Sequence, residues 1–172
     1  YPMITVIGLS GTAEALDEVI THEVGHNWFY GILAFNERRH PWMDEGINSY
    51  YEGEYMGKYY GSGSTSGMLP DFLKNDPDTE LETTIYRTLA SRNSDQSPDT
   101  PSDEFTSINY FLGAYAKPAI AFNHLEEYLG QETFDKLMQD FYDEWQFKHS
   151  YPEDLQNYLE TNSGEDLDWL FD

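Results

Sequence analysis

The pattern His22-Glu23-Val24-Gly25-His26 sets two imidazoles four residues apart with a carboxylate beside the first. On a helix, residues four apart share a face, so both rings reach one ion at about 2.0–2.1 Å. Glu23 lies one position on, about 100° round the axis. Its carboxylate points beside the ion rather than at it, which suits a base that takes a proton from water. Glu45 follows His26 with eighteen residues between them. A helix, a reversal and a second antiparallel helix return that carboxylate to the two histidines. Two His and one Glu leave the fourth tetrahedral position open to water, as a catalytic zinc site requires and a closed structural site does not. An ion there acidifies that water and polarises a carbonyl. We therefore expect one Zn2+ per chain, held by His22, His26 and Glu45, with Glu23 as general base.

The elements that must position these residues read as follows. A short strand over about 3–7 leads through Gly8, Ser10 and Gly11 into a helix of about 12–30, capped by Ser10 or Thr12 and stopped by Gly31. Pro41 opens a second helix reaching about Tyr60. The Gly61-Ser62-Gly63-Ser64-Thr65-Ser66-Gly67 stretch is a loop, and 68–75 and 79–91 carry helical spacing. Residues 92–107 are rich in Ser, Asp, Pro and Thr and read as a long mobile loop. Beyond it a helix begins around Pro118 and ends at Gly130, and the next carries Phe134, Leu137, Met138, Phe141 and Trp145. Pro152 starts another, and Ser163 caps a last one holding Leu167 and Leu170. The expected fold is mainly α with a strand at its start.

At 172 residues the chain fits one domain with a substantial core, and 39% hydrophobic content with 16% aromatics excludes a disordered chain. It has no cysteine, so neither disulfides nor a thiolate metal site enter. No apolar run approaches the roughly 20 residues of a membrane span. The net charge of −23, from 32 acidic and 9 basic residues, argues against nucleic acid and anionic membranes as partners. It suits a solvated acidic surface.

The metal pattern also resembles a known family. His22-Glu23-x-x-His26, eighteen residues and then Glu45 resemble the gluzincin signature. The flanks Asn27-Trp28-Phe29-Tyr30-Gly31 and Trp42-Met43-Asp44-Glu45-Gly46 are similar to those of aminopeptidase N and its relatives. Tyr115-Ala116-Lys117-Pro118-Ala119, followed by Leu125-Glu126-Glu127-Tyr128-Leu129-Gly130, looks like the family's Tyr-x-Lys helix. Ser163-Gly164-Glu165-Asp166-Leu167-Asp168-Trp169 is similar to the close of its catalytic domain. The resemblance implies the helical part of a thermolysin-like zinc peptidase catalytic domain, with 1–172 a single domain cut from a longer chain. It implies removal of amino-terminal residues from peptide substrates. It gives Tyr115 the family's tyrosine role, a hydrogen bond to the oxyanion of the tetrahedral intermediate. Tyr110 competes for that role in a poorer motif context.

One departure bears on specificity. Family members carry a Gly-x-Met-Glu-Asn motif whose glutamate holds the substrate's amino group, and Tyr1-Pro2-Met3 falls where that motif should end. The expectation is that the anchoring glutamate, with the remaining domains, lies in the parent chain. Two readings therefore compete with an aminopeptidase: a zinc endopeptidase or other zinc hydrolase of the same fold, and an inactive peptide-binding or scaffold domain. Intact ligands and base weigh against the last. No compartment follows from the sequence, and a periplasmic or exported location is the family's habit.

Several residues have plainer readings. His40, His124 and His149 fall in no ligand spacing and read as surface or satisfied residues. Asp44 and Asn48 flank Glu45 and either orient ligands or solvate and cap a helix. Gly46, Gly53 and Gly57 read as sites of close helix packing. Trp28, Phe29 and Tyr30 read as core.

Overall fold

The computed structural model describes residues 4–8, 11–61 and 87–171. Helix α1 (Ala13–His26) begins at Thr12, whose hydroxyl accepts the Ala15 N–H at 3.1 Å, and Glu14 complements its positive end. The rod then widens into a π-helical segment, π1 (Asn27–Ile32), which runs through Gly31 rather than stopping there. After a connector, π2 (Trp42–Gly46) continues into α2 (Ile47–Tyr60), closed by Gly61 at φ 90°. One further rod comprises α3 (Ser107–Tyr110), π3 (Phe111–Ala116) and α4 (Lys117–Leu129). It starts at Ser107, about three turns before the expected point. Pro118 falls in the first turn of α4 just after the π segment, where a helix tolerates its missing N–H.

The chain closes with α5 (Gln131–Trp145), α6 (Pro152–Ser163) and α7 (Asp168–Phe171). Asp154 accepts the Tyr151 N–H at 2.9 Å and fixes the start of α6. Ser163 ends α6, with Gly164 left-handed at φ 76°, instead of opening the last helix.

The expected strand over 3–7 is not seen among the described residues: residues 4–8 have no ladder partner there, and Val6 is 75% exposed. A strand exists only through the hydrogen bonds of a neighbour. The helices expected over 68–75 and 79–86, and the loop 62–67, lie outside the described residues; 87–90 form one helical turn. No helix among the described residues is long and apolar enough to cross a membrane.

The core assembles from one face of each helix. Phe134, Leu137, Met138 and Phe141 of α5 recur at helical spacing and are buried with Ile47, Tyr50, Phe122, Leu125, Leu155, Leu159 and Leu167. Each such side chain contributes about 1.5–3 kcal/mol of burial. In chain order α1 packs on α2, α2 on α4, α4 on α5 and α5 on α6. Trp28 is half exposed rather than core, while Phe29 stacks on Tyr51 at 4.7 Å.

Residues 91–106 are not the free loop their composition suggests. Asp99 accepts from His40 Nδ1 at 2.6 Å and from Trp42 Nε1 at 3.0 Å. The Ser102 N–H donates to the Arg38 carbonyl at 2.9 Å. At the other end, Lys117 pairs with Asp95 at 3.0 Å and the buried Asn109 amide donates to the Ser94 carbonyl at 3.0 Å.

Two glycines permit contacts that a methyl would forbid. A Cβ on Gly25 would collide with the Asn48 amide oxygen. One on Gly46 would run into the Pro118 ring and meet the Ala114 carbonyl at 2.9 Å. Gly53 and Gly57, expected to do the same, face open space. Gly46→Ala should therefore lower the free energy of unfolding by about 1–3 kcal/mol. Gly53→Ala, unobstructed inside α2, should raise it by about 0.5–1 kcal/mol. Urea denaturation of the two variants checks this, and equal midpoints would mean that the Gly46 contact is looser than it looks.

Candidate metal centre

The antiparallel packing of α1 on α2 brings three sequence-predicted residues to one point. Glu45 Oε2 lies 3.1 Å from His22 Nε2 and 3.2 Å from His26 Nε2. The two imidazole rings meet edge to face at 4.7 Å. Four ligands at about 2.0–2.1 Å in a tetrahedron stand about 3.3–3.4 Å apart. The two distances from Glu45 lie close to that figure and all three donors lie within 4.8 Å of one another, with His22 buried and His26 and Glu45 partly so.

Each imidazole is held from behind. His22 Nδ1 donates to Glu52 Oε2 at 2.7 Å, and His26 Nδ1 donates to Asp44 Oδ1 at 2.6 Å. A proton fixed on Nδ1 leaves the Nε2 lone pair facing the common point, the tautomer that a metal ligand needs. The Asn48 amide donates to the His22 carbonyl at 2.7 Å and ties α2 to the ligand-bearing turn. Asp44 thus holds the His26 ring and Asn48 the His22 backbone. Glu52 was missed in the sequence. It stands seven residues beyond Glu45, two turns along the same rod, and that spacing was the available signal.

Glu23 is partly exposed beside His22 and has no hydrogen-bond or ion-pair partner among the described residues. Tyr115, in π3, stacks on the His22 ring at 5.8 Å, with the Glu45 carboxylate near enough to act on its phenol. Tyr110 stands behind it, ring to ring at 5.8 Å. Of the two tyrosines, Tyr115 is the one that touches the cluster. The other histidines stay away: His40 on Asp99, His124 facing Glu127 at 3.7 Å on the exposed side of α4, and His149 on the Ala34 carbonyl. A second group, Glu160, Asp166 and Asp168, is largely exposed and entirely acidic.

The electrostatics follow from burial and three carboxylates. Burial pulls the His22 imidazole down, but the Glu45 and Glu52 carboxylates outweigh it and hold it up at about 9. His26 is likewise held at about 10, burial being overcome by Asp44 and Glu45. Burial raises Glu45, yet hydrogen bonds from His22 and His26 bring it to about 2. Burial and the Glu45 charge raise the Tyr115 phenol, so it stays a donor at neutral pH. Without a metal the cluster therefore carries two imidazolium protons. A divalent cation that replaces both leaves the charge of the cluster unchanged.

Residues 9–172 match the peptidase family M1 domain. The chain belongs to that family. Leucine aminopeptidase 2-1 of Meyerozyma guilliermondii is 26% identical over 187 residues, covering 98% of this chain and 28% of that protein. Aminopeptidase M1-A of Oryza sativa subsp. japonica is 26% identical over 154 residues, covering 88% of this chain and 16% of its own length. Glutamyl aminopeptidase of Rattus norvegicus is 24% identical over 172 residues, covering 97% and 17%. The chain therefore spans less than a third of the length of these relatives. No solved structure matches it significantly. Its described residues form helices and no strand, in agreement with the helical part of an M1 catalytic domain.

The raised imidazoles give the metal-free M1 domain a defined pH dependence. Their folded values lie above the ordinary 6.5. The stability they contribute is thus complete below about pH 6.5 and is lost as pH rises through about 9 to 10. Urea unfolding of chelator-treated protein should show that loss, and His22→Gln/His26→Gln should flatten the curve over this window. Identical pH slopes for the two proteins would remove the imidazoles from the account.

Proposed function

We propose that this chain is the catalytic part of a zinc-dependent aminopeptidase, in which His22, His26 and Glu45 hold one Zn2+ and Glu23 and Tyr115 act on the substrate. The observation that carries the reading is the convergence of two Nε2 atoms and one carboxylate at tetrahedral spacing, with both Nδ1 protons turned outward onto carboxylates. The 1–172 segment is read as one domain of a longer protein, in keeping with the share of each relative that it spans. The names of those relatives support peptide amino termini as substrates.

When bound, the zinc ion supplies Lewis acidity, which polarises a peptide carbonyl and acidifies water. The protein's own groups do the rest. Glu23, on the exposed side of His22 with its carboxylate unengaged, accepts the proton of the attacking water and delivers it to the departing amine. Tyr115, beside the His22 ring, donates from its hydroxyl to the oxyanion of the tetrahedral intermediate. It thereby stabilises charge that exists only in the transition state. Asp44, Glu52 and Asn48 keep both imidazoles in the binding tautomer and orientation.

Two experiments on the full-length protein test this. Glu23→Gln should retain one zinc per chain while hydrolysis of aminoacyl nitroanilides falls by several orders of magnitude; loss of zinc with activity would make Glu23 a ligand. Glu52→Gln should weaken zinc binding by about 10–100-fold with Glu23 chemistry intact. Competition with a fluorescent chelator measures it, and an unchanged affinity would show that His22 needs no carboxylate behind it. A zinc-loaded protein that cleaves internal peptide bonds but spares amino termini would favour the endopeptidase reading.

A further inference from the structure

The segment 91–106 joins the two parts of the chain that carry Glu45 and Tyr115. On the Glu45 side, both of its principal anchors lie just before the carboxylate. Asp99 Oδ1 takes hydrogen bonds from His40 and from Trp42, the first residue of π2. Trp42 is itself buried against Phe122 and Phe171, so this anchor is fixed in the core. On the Tyr115 side, the same segment grips the rod both before and after the tyrosine. Asn109 donates to the Ser94 carbonyl and to Thr106 Oγ1, both at 3.0 Å. The Phe105 ring rests on Gly113 so closely that a Cβ there would meet it at 2.7 Å. Lys117 holds Asp95 at 3.0 Å in a half-buried pair.

The direct contact of Gly46 with Pro118 and Ala114 fixes how near the two rods approach. The rods also pack π2 on π3 and α2 on α4, where Tyr50 meets Phe122 and donates to Glu126 at 2.9 Å. Roll is what moves a phenol at the end of a long side chain. A further restraint, reaching round from His40 and Trp42 to Asn109, Gly113 and Lys117, adds to that packing and limits roll from outside it.

We propose that residues 91–106 form a brace and that Asp99 is a positioning residue for the Tyr115 hydroxyl. Asp99 touches no reacting atom; it acts through the segment it anchors. The proposal rests on Tyr115 being the oxyanion donor. Displacement of a catalytic group by a fraction of an ångström lowers the rate without changing which groups are present.

The test is a double-mutant cycle in the zinc-loaded full-length enzyme. Asp99→Ala should lower kcat about tenfold with KM nearly unchanged and zinc retained. Adding it to Tyr115→Phe should cost little further, because the group being positioned is already gone. Asp99→Asn, which keeps the acceptor oxygen, should restore most of the rate. Independently of activity, amide hydrogen exchange over 109–116 in the metal-free protein should accelerate in Asp99→Ala and not in Asp99→Asn. Should Asp99→Ala fail to fold, Asp95→Ala at the opposite end carries the same expectations. Losses that multiply in the double variant, or exchange that stays at the wild-type rate, would overturn the brace. A Tyr115→Phe enzyme with wild-type kcat would instead sink the role of Tyr115, and the exchange result would still decide the brace.

Discussion

The site depends on how closely α1 can approach α2. Gly25 lies between the two histidines, and its missing side chain is the space that Asn48 occupies. Asn48 uses that space to bond the His22 carbonyl, so one buried amide sets both the spacing and the register of the two helices. Once that register is set, Glu45 and Glu52 fall in front of and behind His22 without further adjustment. A slide of one residue would separate the carboxylates from both rings. The interaction is worth more than its hydrogen bond alone, because a buried amide left without a partner is expensive.

Charge imposes the second constraint. A chain at −23 already resists compaction, and its centre adds three carboxylates in a few ångströms. Those carboxylates are stabilised by positive charge between them, of which the two imidazoles provide two units when protonated and a divalent ion provides two otherwise. The acidic surface and the acidic centre thus favour the same cation. Some of the basic groups are committed to carboxylates: Arg38 to Asp103, His40 to Asp99, Lys117 to Asp95.

The sequence made the metal cluster legible because its spacing is local: two histidines one turn apart, and a glutamate at the start of the next helix. Tyr115 was legible only through its motif, and contact with the His22 ring distinguishes it from Tyr110. Other features depend on contacts between distant residues, which composition does not carry. Residues 92–107 look unstructured by composition, yet Asp99 and Asp95 find partners nearly sixty residues away and twenty-two residues away, respectively. Gly46 and Gly53 are alike as letters, and only the position of Pro118 separates them. The strand over 3–7 is not seen among the described residues for the converse reason, since alternating apolar residues describe a strand but do not supply its neighbour.

Hydrophobic spacing could not reveal that three rods change pitch at the site, in π1 after His26, in π2 around Glu45 and in π3 around Tyr115. A π turn holds one residue more than an α turn. The rod carrying Tyr115 is therefore one residue longer than a plain helix joining the same endpoints. Its two ends are out of phase by that one residue, about 100° of rotation. Asn109 faces residues 91–106 at one end and Pro118 faces Gly46 at the other only because of this offset. Removing a single residue between them would restore ordinary pitch and lose one of the two contacts. The helix is thus held to its length as firmly as to the residues that make these contacts.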